Sequence, residues 1–218
     1  MNPNLFDFLK KLMIVSNNGS YRGSTLELSK LFGISQQAAS LNLINLEKEG
    51  FIKRVRERNG QIIYFLEPAY ELIYEEFNSL NFILNRQEKL DISGKVFSGL
   101  GEGKYYISQE NYKNGLKAIL GFEPFLGTLN IRISKKELYK MEIIRLKGRK
   151  YIPPFEKDGR VFGKVYVYNA ELKGEKIGTI IPERTHYTDV LEIVAKDNLR
   201  QKFNLKDGDV LEVTVRFD

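Results

Sequence analysis

One stretch near the middle of the chain decides its fold, and it reads Gly121-Phe122-Glu123-Pro124-Phe125-Leu126-Gly127-Thr128-Leu129-Asn130-Ile131. The stretch bends at a proline and a glycine and ends in an alternating run that is typical of a β-strand. Side chains two residues apart in a strand point to the same face, so Thr128 and Asn130 are expected to lie side by side. The sequence therefore predicts a turn that delivers two neutral oxygen ligands onto one face of a sheet.

A glycine-rich run precedes this stretch and directly follows a segment that is predicted to be a strand. It reads Ser98-Gly99-Leu100-Gly101-Glu102-Gly103-Lys104 and has glycine at three alternate positions. Backbone without Cβ atoms can approach phosphate oxygens, and Lys104 would add positive charge there. The spacing matches neither the Walker pattern nor the dinucleotide fingerprint, and no helix is expected to follow at once. Taken alone, the run is better explained as an ordinary β-turn.

Short β-prone segments continue from here to the end of the chain. Seven strands and one helix, Gln109–Leu120, are predicted from alternation and turn residues. The strands are Ser93–Phe97, Tyr105–Ser108, Thr128–Ile133, Gly163–Tyr168, Ile177–Pro182, Val190–Ala195 and Val210–Phe217. Many short strands with glycine turns favour a small antiparallel β-barrel.

The N-terminal part of the chain has helical periodicity instead. Its predicted elements are a helix over residues 5–13, a helix from the capping box Ser24-Thr25-Leu26-Glu27 to Gly33, a helix from Ser35 to about Gly50 that buries Ala39, Leu43 and Leu46, and the strands Phe51–Val55 and Ile62–Leu66 joined near Asn59-Gly60. This order predicts a helix-turn-helix followed by a β-wing. The chain is thus expected to be an α+β protein of two domains, residues 1–88 and 89–218.

Composition excludes several classes of site. The chain has no cysteine and a single histidine, His186, so disulfides, thiolate zinc sites and histidine-rich metal clusters are ruled out. Any metal must therefore bind to oxygen ligands, and His186 is given no catalytic role. No run of about 18 apolar residues and no secretory signal is present, which predicts a cytoplasmic protein without a membrane segment. The formal charge of +6 lies mostly in the C-terminal half.

Residues 4–66 resemble winged-helix regulators of the MarR type. The similarity rests on the runs Ile34-Ser35-Gln36-Gln37-Ala38-Ala39-Ser40 and Leu46-Glu47-Lys48-Glu49-Gly50-Phe51-Ile52-Lys53-Arg54. The resemblance implies that the chain binds double-stranded DNA. The residues that would contact base edges are Gln36, Gln37, Ser40 and Asn45. The residues that would contact phosphates are Lys53, Arg54, Arg56 and Arg58. Because Leu41 and Ile44 stand at positions that are usually polar, a docking or dimerising module stays an alternative.

An apolar stripe follows the wing after Pro68 and comprises Leu72, Ile73, Phe77, Leu80 and Leu84. Its helical spacing predicts a helix that packs on its own domain or pairs with a second copy of the chain. The sequence leaves the oligomeric state open, with a homodimer as one alternative.

Three motifs, taken together and in this order, resemble the archaeal CTP-dependent riboflavin kinases over residues 93–215. They are Gly99-Leu100-Gly101-Glu102-Gly103-Lys104-Tyr105-Tyr106, Gly121-Phe122-Glu123-Pro124-Phe125 and Gly127-Thr128-Leu129-Asn130. That family has a cradle-loop β-barrel and transfers the terminal phosphate of CTP to riboflavin, giving FMN and CDP. The resemblance implies CTP contacts at Gly99, Leu100, Gly101, Glu102, Gly103, Lys104, Asp197, Asn198, Leu199 and Arg200, Mg²⁺ ligands at Thr128 and Asn130, and flavin contacts at Thr185 and Glu192.

Glu192 is a lone acid in an apolar strand, and we hypothesise that it orients or receives the proton of the ribityl 5′-hydroxyl. The main prediction is therefore a riboflavin kinase whose N-terminal domain binds DNA and regulates transcription. One alternative is a flavin-sensing transcriptional regulator without turnover. Another is a kinase in which the winged helix serves only as a scaffold.

Overall fold

The computed structural model describes residues 2–58, 60–148, 150–185 and 187–217. The chain divides into two compact units, Met1–Asn78 and Ser79–Asp218, whereas the predicted domain boundary lies later, at residues 88–89. The predicted wing-turn residue Asn59 and the histidine His186 lie outside the described residues. Within the described ranges, no helix combines the length and the apolar character needed to cross a membrane.

The first unit is a winged helix built around one apolar core. Its elements are α1 (Pro3–Ile14), β1 (Ser20–Gly23), α2 (Thr25–Phe32), α3 (Gln36–Lys48), β2 (Ile52–Glu57), β3 (Gly60–Phe65) and the start of α4 (Glu67–Leu84). The strands pair antiparallel in the order β1-β3-β2. Leu9, Leu28, Leu43 and Leu46 from three different helices are fully buried in the core. The predicted helix-turn-helix with a wing is confirmed.

The predicted helix ends are also confirmed. Ser24 Oγ accepts a hydrogen bond from Glu27 N at 3.1 Å, and Glu27 Oε2 accepts one from Ser24 N at 2.7 Å, which completes the capping box. Gly33 ends α2 with a φ of 67°, and Ser35 Oγ caps α3 by accepting from Ala38 N at 3.1 Å. Strand β1 was not predicted, because its four residues are too few to show an alternating pattern.

Helix α4 crosses the division between the units. Ala69 belongs to the first core and Phe82 to the second. Leu72 packs partly against the first core, but Phe77, Leu80 and Leu84 are 61%, 49% and 79% exposed. The prediction that this stripe packs on its own domain is therefore wrong for these three residues.

The second unit is a closed antiparallel β-barrel, as predicted. Its elements are β4 (Lys89–Phe97), α5 (Glu102–Ile107), α6 (Glu110–Leu120), β5 (Leu129–Ile133), a 3-10 turn (Lys135–Glu137), α7 (Leu138–Lys147), β6 (Tyr151–Ile152), β7 (Phe155–Lys157), β8 (Arg160–Phe162), β9 (Val165–Leu172), β10 (Glu175–Pro182), β11 (Val190–Val194), α8 (Leu199–Lys202) and β12 (Val210–Arg216). Six strands close the ring in the order β9-β10-β11-β5-β4-β12, and β12 pairs with β9. Strand β6 pairs with β9, while β7 and β8 form a separate hairpin.

Two apolar layers hold the barrel, one inside it and one against its outer face. Leu129, Ile131 and Ile133 of β5 point into the interior with Leu191 and Ile193 of β11. A second cluster joins helices α5 and α6 to the outer wall through Ile107, Leu116, Leu120, Val167, Ile180 and Val194. Because side chains alternate along a strand, the residues between the interior ones face this outer side.

Two predictions about the glycine-rich run are wrong. Residues Tyr105–Ser108, predicted as a strand, lie mostly in helix α5, and this helix already begins at Glu102 inside the glycine-rich run. Residues Tyr105–Ser108 are β-prone in composition. In the helix, however, Ile107 is buried in the outer apolar layer, and the Tyr106 ring packs edge-on against Tyr112 and Phe162. Packing overrides the local preference here.

Candidate active site

The barrel register brings the predicted metal ligands and the predicted acid together on the outer wall. Asn130 of β5 stands directly opposite Glu192 of β11. Their strand neighbours Leu129, Ile131, Leu191 and Ile193 face the interior, so both polar side chains face outward. Thr128 precedes β5 by one residue, and its hydroxyl forms a hydrogen bond with Glu192. These three residues therefore form one cluster.

The glycine-rich loop lies directly over this cluster. A Cβ atom added at Gly99 would collide with Asn130 Nδ2, and one added at Gly103 would collide with Thr128 Oγ1. Gly101 has a φ of 80°, a left-handed conformation that strains any other residue. Two of the glycines thus allow close approach to the strand, and the third allows the turn between them.

Burial controls the acidity of Glu192. Removal from water raises the pKa of this carboxyl above its usual value, and the nearby Glu102 carboxylate raises it further. The hydrogen bond from the Thr128 hydroxyl acts in the opposite direction and lowers the pKa. A carboxyl with a raised pKa in a covered site can exchange a proton closer to neutral pH than an exposed one.

Asn130 supplies an unusual polar atom. Its Oδ1 is buried and has no hydrogen-bond partner among the residues that the structure describes. Leaving a buried oxygen unpaired is unfavourable, and such atoms commonly serve a ligand or an ion. Since neutral oxygens are suitable ligands for a hard divalent cation, Thr128 and Asn130 fit the predicted metal site.

A cavity of about 140 Å³ adjoins the cluster, and residues 197–200, the second segment predicted to contact the nucleotide, form part of its lining. Phe125, Thr128, Ile193, Asn198 and Arg200 are among the residues that line it. Asn198 Oδ1 caps α8 by accepting hydrogen bonds from Arg200 N at 3.1 Å and Gln201 N at 3.3 Å. Asp197 and Leu199 also line the cavity. The Asp197 carboxylate forms an ion pair with Lys202 at 3.1 Å, and the Leu199 side chain is buried in the barrel core.

Thr185, the predicted flavin contact, belongs to a loop of the barrel. It lies in the loop between β10 and β11, where its Oγ1 accepts a hydrogen bond from Tyr187 N at 3.1 Å. Arg145 of α7 holds the same loop by donating to the carbonyls of Tyr187 and Thr188, both at 3.3 Å. Within the described part of the chain, no hydrogen bond joins Thr185 to Glu192.

Two predicted nucleotide contacts in the glycine-rich run, Lys104 and Leu100, are exposed, and Leu100 is 87% accessible.

Sequence reasoning missed a residue at this site. The Asp207 carboxylate accepts hydrogen bonds from the backbone and hydroxyl of Ser98 and from Arg200. The only signal was the Asp207-Gly208 dipeptide, which is typical of any turn. Phe125 was quoted within its motif, but its place in the cavity lining was not foreseen.

On the first unit, the predicted base-contacting residues lie on α3. Gln36 and Gln37 are exposed, while Ser40 and Asn45 are half-buried. Leu41 and Ile44 are 58% and 47% exposed, so apolar side chains share this face with the glutamines. The wing cations Lys53, Arg56 and Arg58 are exposed.

Arg54 differs from the other predicted wing cations because it is held by a carboxylate of α3. Its Nε and Nη2 donate to Glu47 Oε2 at 2.9 and 2.6 Å, and its backbone N donates to Glu47 Oε1 at 3.0 Å. The Arg54 guanidinium holds the pKa of Glu47 below its usual value. Arg54 therefore braces α3 against β2 and does not face solvent with the other wing cations, because it is only 22% exposed.

Several known proteins are similar to this chain. The family model for CTP-dependent riboflavin kinases, also described as a domain of unknown function (DUF120), matches residues 96–215. The riboflavin kinase of Archaeoglobus fulgidus is 38% identical over 193 residues, covering 88% of this chain and 83% of the relative. The riboflavin kinase of Methanospirillum hungatei is 37% identical over 216 residues, covering 98% and 97%. Among solved structures, a MarR family protein from Bacillus stearothermophilus is 21% identical with a TM-score of 0.34, covering 39% of this chain and 58% of that one.

The barrel, its glycine loop and these relatives define a phosphotransferase. The chain belongs to the CTP-dependent riboflavin kinase family.

Proposed function

We propose that this chain transfers the terminal phosphate of CTP to the 5′-hydroxyl of riboflavin, giving FMN and CDP. The observation that carries the proposal is the cluster of Thr128, Asn130 and Glu192 beneath the glycine loop. Phosphoryl transfer needs close positioning and charge neutralisation more than covalent chemistry. A backbone loop over two oxygen ligands and one half-buried acid meets these needs.

Thr128 and Asn130 would hold Mg²⁺, with phosphate oxygens and water as its remaining ligands. When bound, the ion would neutralise negative charge on the nucleotide phosphates. The unpaired Asn130 Oδ1 and the neighbouring Thr128 hydroxyl support this assignment.

Glu192 would orient the ribityl hydroxyl and accept its proton during transfer. Its half-buried position and its hydrogen bond to Thr128 support a carboxylate held next to the predicted phosphate loop. Only the ionised form can accept a proton, so a raised pKa predicts that activity falls as the pH decreases through that value. Lys104 and Arg200 would add positive charge toward the phosphates.

The test measures FMN formation from riboflavin with each of the four nucleoside triphosphates, with Mg²⁺ or with a chelator. CTP with Mg²⁺ should support turnover, and Asn130→Ala should reduce it strongly because it removes the buried oxygen. Asn169→Ala is the matched control, since Asn169 on β9 also has a buried Oδ1 without a partner among the described residues. Flavin binding without FMN formation under all conditions would instead support the sensor without turnover.

We also propose that the first unit binds double-stranded DNA through α3 and the wing. Support comes from the winged-helix order of elements, from exposed Gln36 and Gln37 at the start of α3, and from exposed cations on β2 and after it. Glutamine can pair with adenine edges, and Lys and Arg neutralise phosphates. The exposed Leu41 and Ile44 can contact thymine methyl groups, so they do not oppose this function.

Binding of the protein to DNA from its own upstream region tests this second proposal. Arg56→Ala combined with Arg58→Ala should weaken binding and reduce its salt dependence by about two counterions, because each cation neutralises about one phosphate. Lys10→Ala with Lys11→Ala removes equal charge from α1 and should have little effect. Unchanged DNA affinity in the wing variant would favour the docking module, and FMN formation should be unaffected in either variant.

A further inference from the structure

One carboxylate connects two segments that the proposed function assigns to the same nucleotide. Asp207 Oδ2 accepts a hydrogen bond from Ser98 N at 3.1 Å, and Asp207 Oδ1 accepts from Ser98 Oγ at 3.2 Å. The same Oδ1 lies 2.8 Å from Arg200 Nη2. Ser98 immediately precedes the glycine loop, and Arg200 lines the adjoining cavity.

The turn that carries Asp207 is fixed on both sides. Gly208 N donates to Val96 O at 2.8 Å, and Val96 N donates to Asp209 O at 2.8 Å. Asp209 Oδ2 closes the turn by accepting from Lys206 N at 2.8 Å. The Asp207 carboxylate is therefore anchored to the end of β4, at the point where the glycine loop begins.

The contacts of Asp207 with Ser98 and Arg200 contribute little to the folding stability of the chain. Arg200 and Asp207 are 32% and 53% exposed, and ion pairs of such exposure contribute little to folding. Their geometric effect is larger, because the contacts set the direction in which the chain leaves β4 and restrict the rotamers of a long arginine side chain. A guanidinium has five N–H donors, so the pair with Asp207 leaves others for phosphate oxygens.

We infer that Asp207 is a positioning residue that holds the glycine loop and Arg200 in the arrangement needed to bind the nucleotide phosphates. This inference rests on the proposed function. Asp207 acts through Ser98 and Arg200, and no contact with the substrate is required of it. Preorganisation of this kind lowers the ordering cost of binding, so its loss should appear in nucleotide affinity.

The experiment compares Asp207→Asn with wild type by steady-state kinetics and by binding of CDP. The substitution removes the charge that holds Arg200 and should raise the KM for CTP and the Kd for CDP by up to about tenfold, because the arginine side chain must then be ordered when the nucleotide binds. The kcat and the KM for riboflavin should stay within about twofold, since the reacting groups are untouched. Asp209→Asn is the matched control, because it weakens the same turn without touching Ser98 or Arg200.

Double-mutant cycles show whether Asp207 acts on nucleotide binding through Arg200 or through Ser98. If Asp207 acts through Arg200, Asp207→Asn should add little in an Arg200→Ala background. Ser98→Ala, which removes only the hydroxyl contact, should raise the KM for CTP by a smaller factor and serves if Asp207→Asn does not fold. Wild-type nucleotide parameters in both Asp207→Asn and Ser98→Ala, or an equal effect of Asp209→Asn, would overturn the positioning role alone. A wild-type protein that neither binds CDP nor forms FMN would overturn the proposed function as well.

Discussion

Replacement of Gly103 by alanine separates the stability of helix α5 from the geometry of the site. Gly103 is the second residue of α5 and has no positive φ, so the backbone tolerates alanine there. Helix propensity alone predicts a gain of up to about 1 kcal/mol. The added methyl group, however, would collide with Thr128 Oγ1. Overpacking of this kind typically costs about 1–3 kcal/mol. The net loss of stability should therefore be only about 0–2 kcal/mol.

Activity should respond much more strongly than stability. The methyl group displaces either α5 with its glycine loop or the Thr128 hydroxyl that bonds to Glu192. A misplacement of about 1 Å at a reacting centre can lower the rate about 100-fold, which corresponds to about 2.7 kcal/mol of transition-state energy. The assay is the initial rate of FMN formation together with thermal unfolding of the same sample.

Gly101→Ala is the control for this prediction. A Cβ at that position meets no atom within 4 Å, so only the left-handed backbone is strained. A double-mutant cycle of Gly103→Ala with Thr128→Ala adds a second check, because removal of the Thr128 hydroxyl makes room for the new methyl group. The double variant should be more stable than the two single effects predict, although it stays inactive. Turnover close to wild type in Gly103→Ala would refute the contact between the loop and the strand.

Three further substitutions test other parts of the structure. Glu192→Gln should lower the rate of FMN formation by on the order of 100-fold. Because the pKa of Glu192 is raised in the folded state, wild type loses stability as the pH rises above the usual carboxyl value of 4.5, and the glutamine variant should unfold at a higher temperature across that range. Arg54→Ala should destabilise the first unit by about 1 kcal/mol in urea unfolding, whereas Arg56→Ala should not, because only Arg54 clasps Glu47. Tyr168→Phe should cost about 1–2 kcal/mol in thermal unfolding, since the Tyr168 hydroxyl donates to Ile144 O at 2.7 Å in the barrel core.

Local signals in the sequence were sufficient where a short segment determines its own structure. Ser24 and Glu27 satisfy backbone groups at the start of α2 from within the same turn, so the capping box could be located without any tertiary information. The alternation of β12 likewise places Leu211, Val213 and Val215 in the core, as expected for a closing strand. In these cases the hydrophobic pattern and the backbone requirement agree.

Contacts between distant residues could not be predicted in this way. Tyr105 and its neighbours are β-prone, and only packing against α6 and the β7–β8 hairpin makes them helical. Arg54 matches a solvent-facing wing cation in sequence, yet Glu47 on the preceding helix holds it. Ser98 and Asp207 are 109 positions apart, and no local pattern relates them.

The three alternate glycines show why a motif can be informative without matching a known phosphate loop. Gly99 and Gly103 are required by the side chains of Asn130 and Thr128 beneath them, while Gly101 is required by its own backbone conformation. Gly99 and Gly103 are four residues apart, whereas Asn130 and Thr128 beneath them are only two apart, because the chain turns at Gly101 and enters α5 between the two contacts. The loop and the strand constrain one another, so neither motif alone specifies the site. A substitution at either glycine should consequently resemble a substitution at the strand residue below it.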